Sequence, residues 1–575
     1  MPTEIPQRKP ARVPLGLFLS AALLFAVRSF AQQPDDDSPA FAPTTPWQPQ
    51  IHFHAPPNWI NDPNGPILLN GEYHLFFQLN PSGDQWGHMS WGHAVSSDLA
   101  HWKQLPVAIP EENGIAIFSG STVEDRDNTS GLCGNPGQKT PGCLVAIYTG
   151  DSGNKEDQNI AVSRDAGATW TKYASNPVID LGLKDFRDPK VFWHAPSQSW
   201  VMVVSLADQH KVRIYRSKNL HQWEQAGEFG PAGDIAGVWE CPDLIELPIL
   251  DDAGKRVYDV VNRRFATRWL LSVNTSRGGP AKGSADQYFI GQFDGSRFTE
   301  DHPGSGPHWA DWGKDFYAST SFANLPAGTD ANPDRFWPDR VWIAWMTDLQ
   351  YASKLPSLPG RGEMTIARRI FLRQPPAHPA PTPSQEPLLL VQKPILPIPA
   401  DKRYDAMFGG PRFQPITQAN AQLVAHKPVG NVYRLRFTLD PGDASEAGVR
   451  LRRNAANPDA PAAEETLVGV DQATGRVFVD RTRSGKTDWS PDFPARVSAP
   501  LKHPQSGAIP IEIVVDSNSI EVFAEDGETV LTNLIYPTAS SQGIAFYSTA
   551  TAPGSGPALV RDLELTPLSL PAAAK

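Results

Sequence analysis

A turn of one design recurs between residues 97 and 298, and it constrains the fold more than any other feature of the chain. The copies are Ser97-Asp98 before Trp102, Ser163-Arg164-Asp165 before Trp170, Ser217-Lys218-Asn219 before Trp223, and a weaker copy, Asp294-Gly295 before Phe298. In each copy we expect the polar residue to bond the turn backbone and the aromatic residue to enter the next strand. Recurrence at roughly one blade plus insertions predicts a β-propeller, although a plain β-sandwich with similar hairpins would also fit the period.

The rest of the chain divides by composition. Residues 48–373 carry short strand-like runs broken by turn residues and lack long 3.6-residue periodicity, so we expect little helix. Residues 374–400 are dominated by proline, which predicts a semi-rigid linker or a segment that wraps the surface. Residues 401–572 alternate like half-buried strands, with hairpin turns expected at 471–475 and 516–518, and predict a separate antiparallel sandwich. The predicted fold class is therefore all-β, a propeller followed by a C-terminal β-sandwich.

The N-terminus has the pattern of a signal peptide. Arg8, Lys9 and Arg12 precede the apolar run 15–27, which ends near the small-x-small sequence Ser29-Phe30-Ala31. The run is shorter than the roughly 20 residues that span a bilayer. We predict a signal peptide at 1–31, a polar, disordered leader at 32–47, and export to the periplasm or the medium.

Charge and cysteine content exclude several classes of function. The formal net charge is −11, and residues 1–31 contain more basic than acidic side chains, so the mature chain would be more acidic still. This balance argues against nucleic acid or an anionic membrane as partner. The cysteines are Cys133, Cys143 and Cys241, which provide neither a disulfide framework nor a Cys/His metal site. Cys133 and Cys143 close a short Gly/Pro loop, and their spacing is compatible with both a bridged and a free pair.

Three short clusters place carboxylates beside proline. They are Trp59-Ile60-Asn61-Asp62-Pro63-Asn64-Gly65, Phe186-Arg187-Asp188-Pro189-Lys190 and Trp239-Glu240-Cys241-Pro242-Asp243-Leu244. Each alone fits a structural role, since the first is rich in turn formers and the second reads as an ion pair before a turn. The first also follows His52, His54 and Trp59, which predicts a carboxylate at a strand mouth among aromatic residues.

In this order and spacing, the three clusters resemble the signature motifs of glycoside hydrolase family 32, which includes invertases, inulinases and levanases. The likeness covers roughly residues 50–373 and extends to Phe76-Phe77-Gln78, Trp86, Trp91-Gly92-His93-Ala94, Phe118-Ser119-Gly120-Ser121, 144–150, 207–215, 311–322 and 341–346. The resemblance implies a five-bladed propeller with a funnel-shaped site at its axis, and a β-sandwich after it. It implies no metal and no cofactor.

The resemblance also implies roles for single residues. Asp62 matches the nucleophile, Glu240 the general acid/base, and Asp188 the residue that stabilises the transition state. The positions that match fructose-binding residues of the family are Asn61, Gln78, Trp86, Phe118, Ser119 and Arg187. Amide and hydroxyl donors near Asp62 should keep it ionised, whereas the apolar neighbours of Glu240 should favour its protonated form. A retaining mechanism needs two such carboxyls about 5–5.5 Å apart.

The substrate class follows from the same resemblance. Residues 208–240 are most similar to microbial exo-inulinases and levanases, so exo-acting release of fructose from fructans, and from sucrose, is the first hypothesis. A narrow invertase, an endo-fructanase and a fructosyltransferase are alternatives within the family. A non-catalytic carbohydrate-binding propeller and an arabinoside hydrolase are alternatives outside it. Two positions depart from the usual pattern, Ile60 in the first motif and Gly360 before Arg361-Gly362. The sequence leaves the oligomeric state open.

Overall fold

The computed structural model describes residues 46–54, 57–134, 142–325, 340–357, 359–375, 387–396, 406–408, 410–426, 430–455, 458, 460–504, 507–550 and 556–568. The predicted signal peptide and nearly all of the predicted leader lie outside these residues. Within them the structure is almost entirely β-strand and turn. No helix among the described residues is long and apolar enough to cross a membrane.

The propeller consists of five sheets, or blades. Blade 1 contains β1 (Trp59–Leu69), β2 (Glu72–Asn80), β3 (Ser90–Ser96) and β4 (Lys103–Ile109). Blade 2 contains β5 (Ala116–Asp125), β6 (Cys143–Asp151), β7 (Glu156–Ser163) and β8 (Thr171–Lys172). Blade 3 contains β9 (Phe186–His194), β10 (Ser199–Leu206), β11 (Lys211–Ser217) and β12 (Trp223–Phe229).

Blades 4 and 5 share an edge. Blade 4 contains β13 (Trp239–Leu250), the hairpin β14 (Tyr258–Asp259) and β15 (Arg264–Phe265), β16 (Thr267–Thr275), β17 (Ala285–Phe293), β18 (Phe298–Glu300) and β19 (His308–Trp309). Blade 5 contains β20 (Tyr317–Ser321), β21 (Arg340–Trp345), β22 (Arg368–Arg373) and β23 (Leu389–Pro394). The outer ends of β13 and β22 pair in parallel and join the two blades.

The innermost strands β1, β5, β9, β13 and β20 close a ring, because each contacts the next and β20 contacts β1. The closing contact is a parallel bridge at which Leu68 N donates to Ala323 O (3.1 Å) and Ala323 N donates to Pro66 O (2.8 Å). The predicted five-bladed propeller is therefore confirmed. Since all five strands run in the same direction, their first residues meet at one mouth of the axis and their last residues at the other.

The recurrent turns join the third and fourth strands of the first four blades. Asp98, Asp165, Asn219 and Asp294 each accept backbone N–H groups of their own turn. The indole N–H groups of Trp102, Trp170 and Trp223 each donate to the carbonyl three residues earlier. The repeat thus fixes the outer corner of each blade, as predicted.

Part of the segment predicted as a linker is a strand. β23 pairs with β22 along its whole length, from Arg368↔Pro394 to Arg373↔Leu389, and forms the outer edge of blade 5. Leu390 and Val391 are buried there. The high proline content of residues 374–400 hid this short apolar run, and residues 376–386 and 397–400 lie outside the described part of the chain.

The C-terminal region is a two-sheet sandwich. One sheet contains β24 (Ala406–Phe408), β25 (Gln414–Pro415), β26 (Tyr433–Asp440), β31 (Ile509–Val515), β32 (Ser519–Ala524), β33 (Thr529–Leu534) and β35 (Leu559–Pro567). The other contains β27 (Ala444–Arg453), β28 (Thr466–Asp471), β29 (Arg476–Asp480), β30 (Arg496–Pro500) and β34 (Gly543–Ala550). Side chains of both sheets bury one apolar core, against which the helix α1 (Ile416–Ala425) packs. Short 3-10 turns occur at Ala195–Ser197, Ala207–Gln209, Ala352–Lys354 and Glu525–Gly527.

Buried charges hold the sandwich against the propeller. Arg368 of β22 donates to Glu521 of β32 (2.5 Å) and to Asp311 (3.0 Å), and all three side chains are buried. His52 bridges Asp516 (2.7 Å) and Glu521 (3.0 Å). Burial alone would lower the pKa of His52, but hydrogen bonds and charges from the two carboxylates outweigh it and raise the pKa to about 10. His52 therefore contributes to the domain interface, not to the surroundings of Asp62 that the sequence suggested.

Cys133 and Cys143 form a disulfide, with their Cα atoms 5.1 Å apart. The bond links the first residue of β6 to the loop that follows β5, and both sulfur-bearing side chains are buried in the core between blades 2 and 3. The pair is therefore bridged, which is one of the two alternatives that the sequence left open. Cys241 is free.

Candidate active site

A β-bulge interrupts each inner strand at the same level of the axis. The register breaks between Ile60 and Pro63 in β1, Ile117 and Gly120 in β5, Arg187 and Lys190 in β9, Glu240 and Asp243 in β13, and Tyr317 and Thr320 in β20. A bulge turns a side chain away from the regular alternation and is frequent beside active sites. The interrupted residues include Asp62, Ser119 and Asp188, and Glu240 and Tyr317 adjoin the breaks. The five bulges therefore direct one polar side chain from each blade toward a common centre.

The backbone at this level is unusual as well. Asp188 (φ 67°), Cys241 (φ 46°) and Ala318 (φ 54°) all lie in the left-handed region although none is glycine. Such conformations cost free energy and persist where the surroundings enforce them, often at functional sites. Pro63, Pro189 and Pro242 follow within the bulges and supply no N–H, so no ladder hydrogen bond is lost where the strand departs from its partner.

Asp62 is held by a short chain of donors. Ser119 Oγ donates to Asp62 Oδ2 (2.6 Å), and Asn61 Nδ2 donates to Asp62 Oδ1 (3.2 Å). Trp59 Nε1 in turn donates to Asn61 Oδ1 (2.8 Å), which fixes the orientation of the amide. Three residues of the predicted set, Asn61, Asp62 and Ser119, thus form one unit that aims a carboxylate at the axis.

Asp188 and Asp62 face each other across Cys241. The Cys241 backbone N–H donates to Asp188 Oδ2 (2.9 Å), and the thiol lies 3.7 Å from that oxygen and 3.5 Å from Asp62 Oδ2. The Asp188 backbone N–H donates to Thr149 Oγ1 (3.0 Å), which anchors the bulge of β9. Because both carboxylates lie close to the same sulfur atom, their negative charges repel each other when both are ionised.

Glu240 accepts hydrogen bonds from two other blades. Arg187 Nε donates to Glu240 Oε1 (3.0 Å), and the Tyr317 hydroxyl donates a short hydrogen bond to Glu240 Oε2. Arg187 Nη1 also contacts Glu156 (3.0 Å) and Asp185 (2.9 Å). The setting of Glu240 is thus more polar than its neighbours in the sequence predict. Arg187 of β9 and Tyr317 of β20 contact it directly, and Glu156 of β7 shares the Arg187 guanidinium. The Trp239 indole is directed away, toward the carbonyl of Asp234.

Burial and like charge dominate the electrostatics. Burial raises the pKa of Asp62, and the hydrogen bonds from Ser119 and Asn61 only partly offset this effect. Burial also raises the pKa of Asp188 to about 8, against the opposing charge of Arg187 and with help from Glu240 and Asp62. The pKa of Tyr317 is raised well above its usual range by burial and by Glu240. Asp188 therefore retains at neutral pH a proton that an isolated carboxyl would lose.

The remaining predicted binding residues surround this centre at different depths. Trp86 is exposed (58%) and meets Phe118 edge to face, with ring centroids 6.0 Å apart, so the two rings form a wall at the mouth. Gln78 is buried, and its amide donates to the Ile117 carbonyl (3.0 Å) at the start of the β5 bulge. Gln78 therefore shapes the strand that carries Ser119. No group of three or more His, Cys, Asp or Glu residues within the described ranges has the arrangement of a metal site.

Comparisons with known proteins agree with this geometry. The model of the glycosyl hydrolases family 32 N-terminal domain matches residues 52–380, and the model of the family 32 C-terminal domain matches residues 411–566. The chain belongs to glycosyl hydrolase family 32. It is accordingly a glycosidase, an enzyme that hydrolyses O-glycosyl bonds.

Similar family members include enzymes of bacteria and fungi. The chain is 40% identical to a levanase of Bacillus subtilis (strain 168), over 91% of this chain and 70% of the relative. It is 37% identical to an extracellular exo-inulinase of Aspergillus awamori, over 87% and 92% of the two chains. The crystal structure of the Aspergillus awamori exo-inulinase superposes with a TM-score of 0.75 at 35% identity and covers 92% of this chain and 99% of that one. A fructofuranosidase from Schwanniomyces occidentalis complexed with fructose gives 0.72 at 30% identity, over 91% and 100%.

Several site residues were not predicted from the sequence. Tyr317 lies in the 311–322 segment that resembles the family, but its contact with Glu240 depends on the fold. Glu156 and Asp185, which share Arg187 with Glu240, had no recognisable signal. Cys241 follows Glu240 in the third cluster, but only the fold shows that its thiol lies close to both Asp62 and Asp188.

Proposed function

We propose that this family 32 enzyme releases terminal β-D-fructofuranosyl units from fructans of the inulin or levan type, and from sucrose, with retention of configuration. The observation that carries the proposal is the set of three carboxyls, Asp62, Asp188 and Glu240, brought by bulges of β1, β9 and β13 to one mouth of the axis. Its substrate class is supported by relatives named levanase and exo-inulinase.

In the first step, Asp62 would attack the anomeric carbon of the fructosyl unit while Glu240 gives a proton to the departing oxygen. The bond to the leaving group breaks as the bond to Asp62 forms, and the product remains as a fructosyl ester of the enzyme. Ser119 and Asn61 orient the attacking carboxylate through the hydrogen bonds described above. Substrate hydroxyls bound next to Asp188 would supply donors that this carboxyl lacks in the free protein, and positive charge developing on the ring would favour its ionised form.

In the second step, Glu240 would accept a proton from water as the water attacks the same carbon. The ester bond to Asp62 breaks, fructose leaves, and both carboxyls return to their starting states. Arg187 and Tyr317 hold Glu240 in place through both steps. The carboxyl can therefore give a proton to the departing oxygen and later take one from water without moving. The acid/base role of Glu240 and the stabilising role of Asp188 are taken from the resemblance of their motifs to those of the family.

The choice between exo-action and its alternatives rests on the products. Chromatography after incubation with inulin, levan and sucrose should show fructose alone from the polymers, and fructose with glucose from sucrose. Oligosaccharides from the start of the reaction would instead support an endo-fructanase, and chains longer than the substrate would support a transferase. Activity on sucrose alone would indicate a narrow invertase. No release of fructose at high enzyme concentration would favour a carbohydrate-binding propeller.

We also infer that the chain is exported and that residues 1–31 are removed. The pattern at its N-terminus and the extracellular naming of the exo-inulinases support this. N-terminal sequencing of the mature protein tests the cleavage after Ala31. As domain boundaries we propose 48–373 for the propeller, to which β23 adds the outer strand of blade 5, and 401–572 for the sandwich.

A further inference from the structure

A second cavity, of about 420 Å³, lies at the mouth of the propeller opposite the carboxyl cluster. Its walls include residues 123–125 of β5, 190–193 of β9 and 244–246 of β13, together with residues 321–324 at and after the end of β20. Because a strand rises roughly 3.3 Å per residue, Trp193 lies about 16 Å further along the axis than Asp188 of the same strand. The volume falls in the range of pockets that bind small molecules, roughly 300–1,000 Å³.

Lys190 separates this cavity from the active-site mouth. Its buried ammonium group donates to the Ser321 carbonyl (2.6 Å) and to Thr320 Oγ1 (3.0 Å), and it pairs with Asp243 (3.1 Å). The three partners lie on β13 and β20, across the axis from β9. Lys190 and these three partners form a polar plug that divides the propeller axis into two compartments. A ligand in the far cavity therefore does not reach the catalytic carboxyls.

The walls of the far cavity combine aromatic faces with charged groups. Trp193 is 41% exposed and packs edge to face against Trp200, with ring centroids 5.2 Å apart. Trp269, Glu246 and Arg340 also line the cavity. An exposed indole offers an apolar face to the C–H side of a sugar ring, while carboxylate and guanidinium groups bond its hydroxyls.

The balance of charge indicates a neutral ligand. Side chains of both signs line the cavity in nearly equal number, namely Glu124, Asp125, Asp127 and Glu246 against Arg126, Lys190 and Arg340. Arg126 is paired with Glu124 (2.7 Å), and Lys190 is committed to the plug. An anion or a cation would therefore find no excess of opposite charge, whereas a polyhydroxylated molecule can use donors and acceptors alike.

One rim of the cavity is built in advance. The Asp125 carboxylate accepts the N–H and hydroxyl of Thr129 (2.8 and 2.9 Å) and the N–H of Ser130 (2.9 Å). Trp200 Nε1 donates to Thr129 Oγ1 (2.9 Å), which ties the loop to the aromatic wall. The Cys133–Cys143 disulfide closes the same loop. A rim ordered before binding loses little conformational entropy when a ligand arrives.

We propose that this far cavity is a second carbohydrate-binding site, which takes a neutral fructo-oligosaccharide or a stretch of fructan. The identity of the sugar rests on the proposed function, whereas the existence of the site rests on the cavity itself. Binding there would hold a polymer on the enzyme and raise the concentration of chain ends near the catalytic mouth. Short substrates such as sucrose would gain nothing from it.

Calorimetric titration of the Glu240→Gln variant with a trisaccharide fructan tests the proposal, since a ligand this short cannot bridge the two mouths. We expect two binding events per chain, and one after Trp193→Ala is added. Glu246→Gln, which preserves shape, should weaken the same event about tenfold. Tyr258→Ala is the matched control, since Tyr258 is a half-exposed aromatic on the β14–β15 hairpin and does not line the cavity. It should leave both events intact.

The single variant Trp193→Ala, in an otherwise active enzyme, should raise the apparent KM for polymer about threefold to tenfold and leave sucrose hydrolysis unchanged. One binding event that Trp193→Ala does not alter, or no binding at all, would overturn the second site. If the carboxyl cluster does not bind fructosides, Glu240→Gln would instead show one event that Trp193→Ala abolishes. Failure of the proposed function and failure of the second site therefore give different titrations. Thermal melting of each variant shows whether a lost event reflects a lost fold.

Discussion

Two regions of this protein bury carboxylates, and the pKa values of these groups shift in opposite directions. At the interface between propeller and sandwich, burial would raise the pKa of Asp516 and Glu521, but cationic partners and backbone donors lower it below the ordinary value. At the mouth of the propeller, burial raises the pKa of Asp62 and Asp188, and the neighbours do not compensate. The residue types are the same, so the difference lies in the number of partners.

The interface satisfies its charges within the protein. Glu521 meets Arg368 (2.5 Å), His52 (3.0 Å) and the backbone N–H of Ile366 (2.8 Å). Asp188 has Arg187 beside it, yet the guanidinium donates to Glu240, Glu156 and Asp185 instead. Carboxyls that lack donors in the free protein can gain them from a substrate, so incomplete satisfaction identifies the reactive region and full satisfaction the structural one.

The largest expected effect concerns the catalytic mouth. Asp62→Asn, Glu240→Gln and Asp188→Asn should each lower kcat at least about a thousandfold, because each removes a group from the reacting carbon or the proton path. The melting temperature of Asp62→Asn and Asp188→Asn should stay the same or rise, since a poorly satisfied charge is removed, whereas Glu240→Gln also loses the ion pair with Arg187 (3.0 Å) and should melt slightly lower. Steady-state kinetics with sucrose and calorimetric melting measure both. Asp301→Asn, a partly exposed carboxylate paired with Arg268 (3.0 Å), is the control and should change neither. A folded catalytic variant with near-normal turnover would contradict the assignment.

The corresponding experiment at the interface between propeller and sandwich removes one of its buried charges. Glu521→Gln should lower the free energy of unfolding by about 3–5 kcal/mol, because Arg368 and His52 would remain buried with one partner fewer. The folded fraction should keep its kcat. Denaturant titration measures the loss, and Asp526→Asn serves as control. Its more exposed pair with Lys393 (3.4 Å) should contribute less than about 1 kcal/mol. Equal losses in the two variants would mean that the interface network is not structural.

Both regions should lose stability as the pH rises, but in different pH ranges, because the interface loses a favourable interaction and the mouth gains an unfavourable charge. His52 has a pKa of about 10 in the folded protein against 6.5 ordinarily, so its contribution to stability is present below about 6.5 and is lost as the pH rises through about 10. Asp188, raised to about 8, costs stability increasingly as the pH rises from about 4 to 8. His52→Gln should therefore destabilise most below about pH 6.5 and approach wild type near pH 10, whereas Asp188→Asn should match wild type near pH 4 and stabilise most above pH 8. Melting temperatures across pH 4 to 10 test both, and a difference from wild type that does not change with pH would refute the pKa shift of that residue.

The sequence predicts one of these regions much better than the other. Motif order and resemblance predicted the propeller, the sandwich and the carboxyls Asp62, Asp188 and Glu240, which the structure brings together. They did not predict the interface, because His52, Arg368 and Glu521 are at least 153 residues apart in the sequence and meet only when both domains are folded. Composition also hid β23 within its proline-rich surroundings. Contacts between strands of different blades, such as the one between Tyr317 and Glu240, could not be found from any single motif.

The smallest expected effect lies between the two regimes, at Glu156. Burial raises its pKa to about 7 although Arg187 opposes this, and its carboxylate holds both Arg187 (3.0 Å) and the Phe186 N–H (2.7 Å). Glu156→Gln should leave KM nearly unchanged and lower kcat about tenfold above pH 7, where the wild-type carboxylate is ionised and anchors the guanidinium that orients Glu240.

The pH profile separates this positioning role from a loss of fold. Below about pH 6 the wild-type Glu156 is itself protonated, so the kcat of the two enzymes should converge as the pH falls. Asp185→Asn is the control, because Asp185 contacts the same guanidinium (2.9 Å) but is one-third exposed and should matter less. A constant ratio of kcat between Glu156→Gln and wild type at every pH would show that Glu156 supports the strand β9 and not the orientation of the acid/base. Convergence would place it on the catalytic side of the comparison, as a buried carboxylate whose ionisation is coupled to the chemistry.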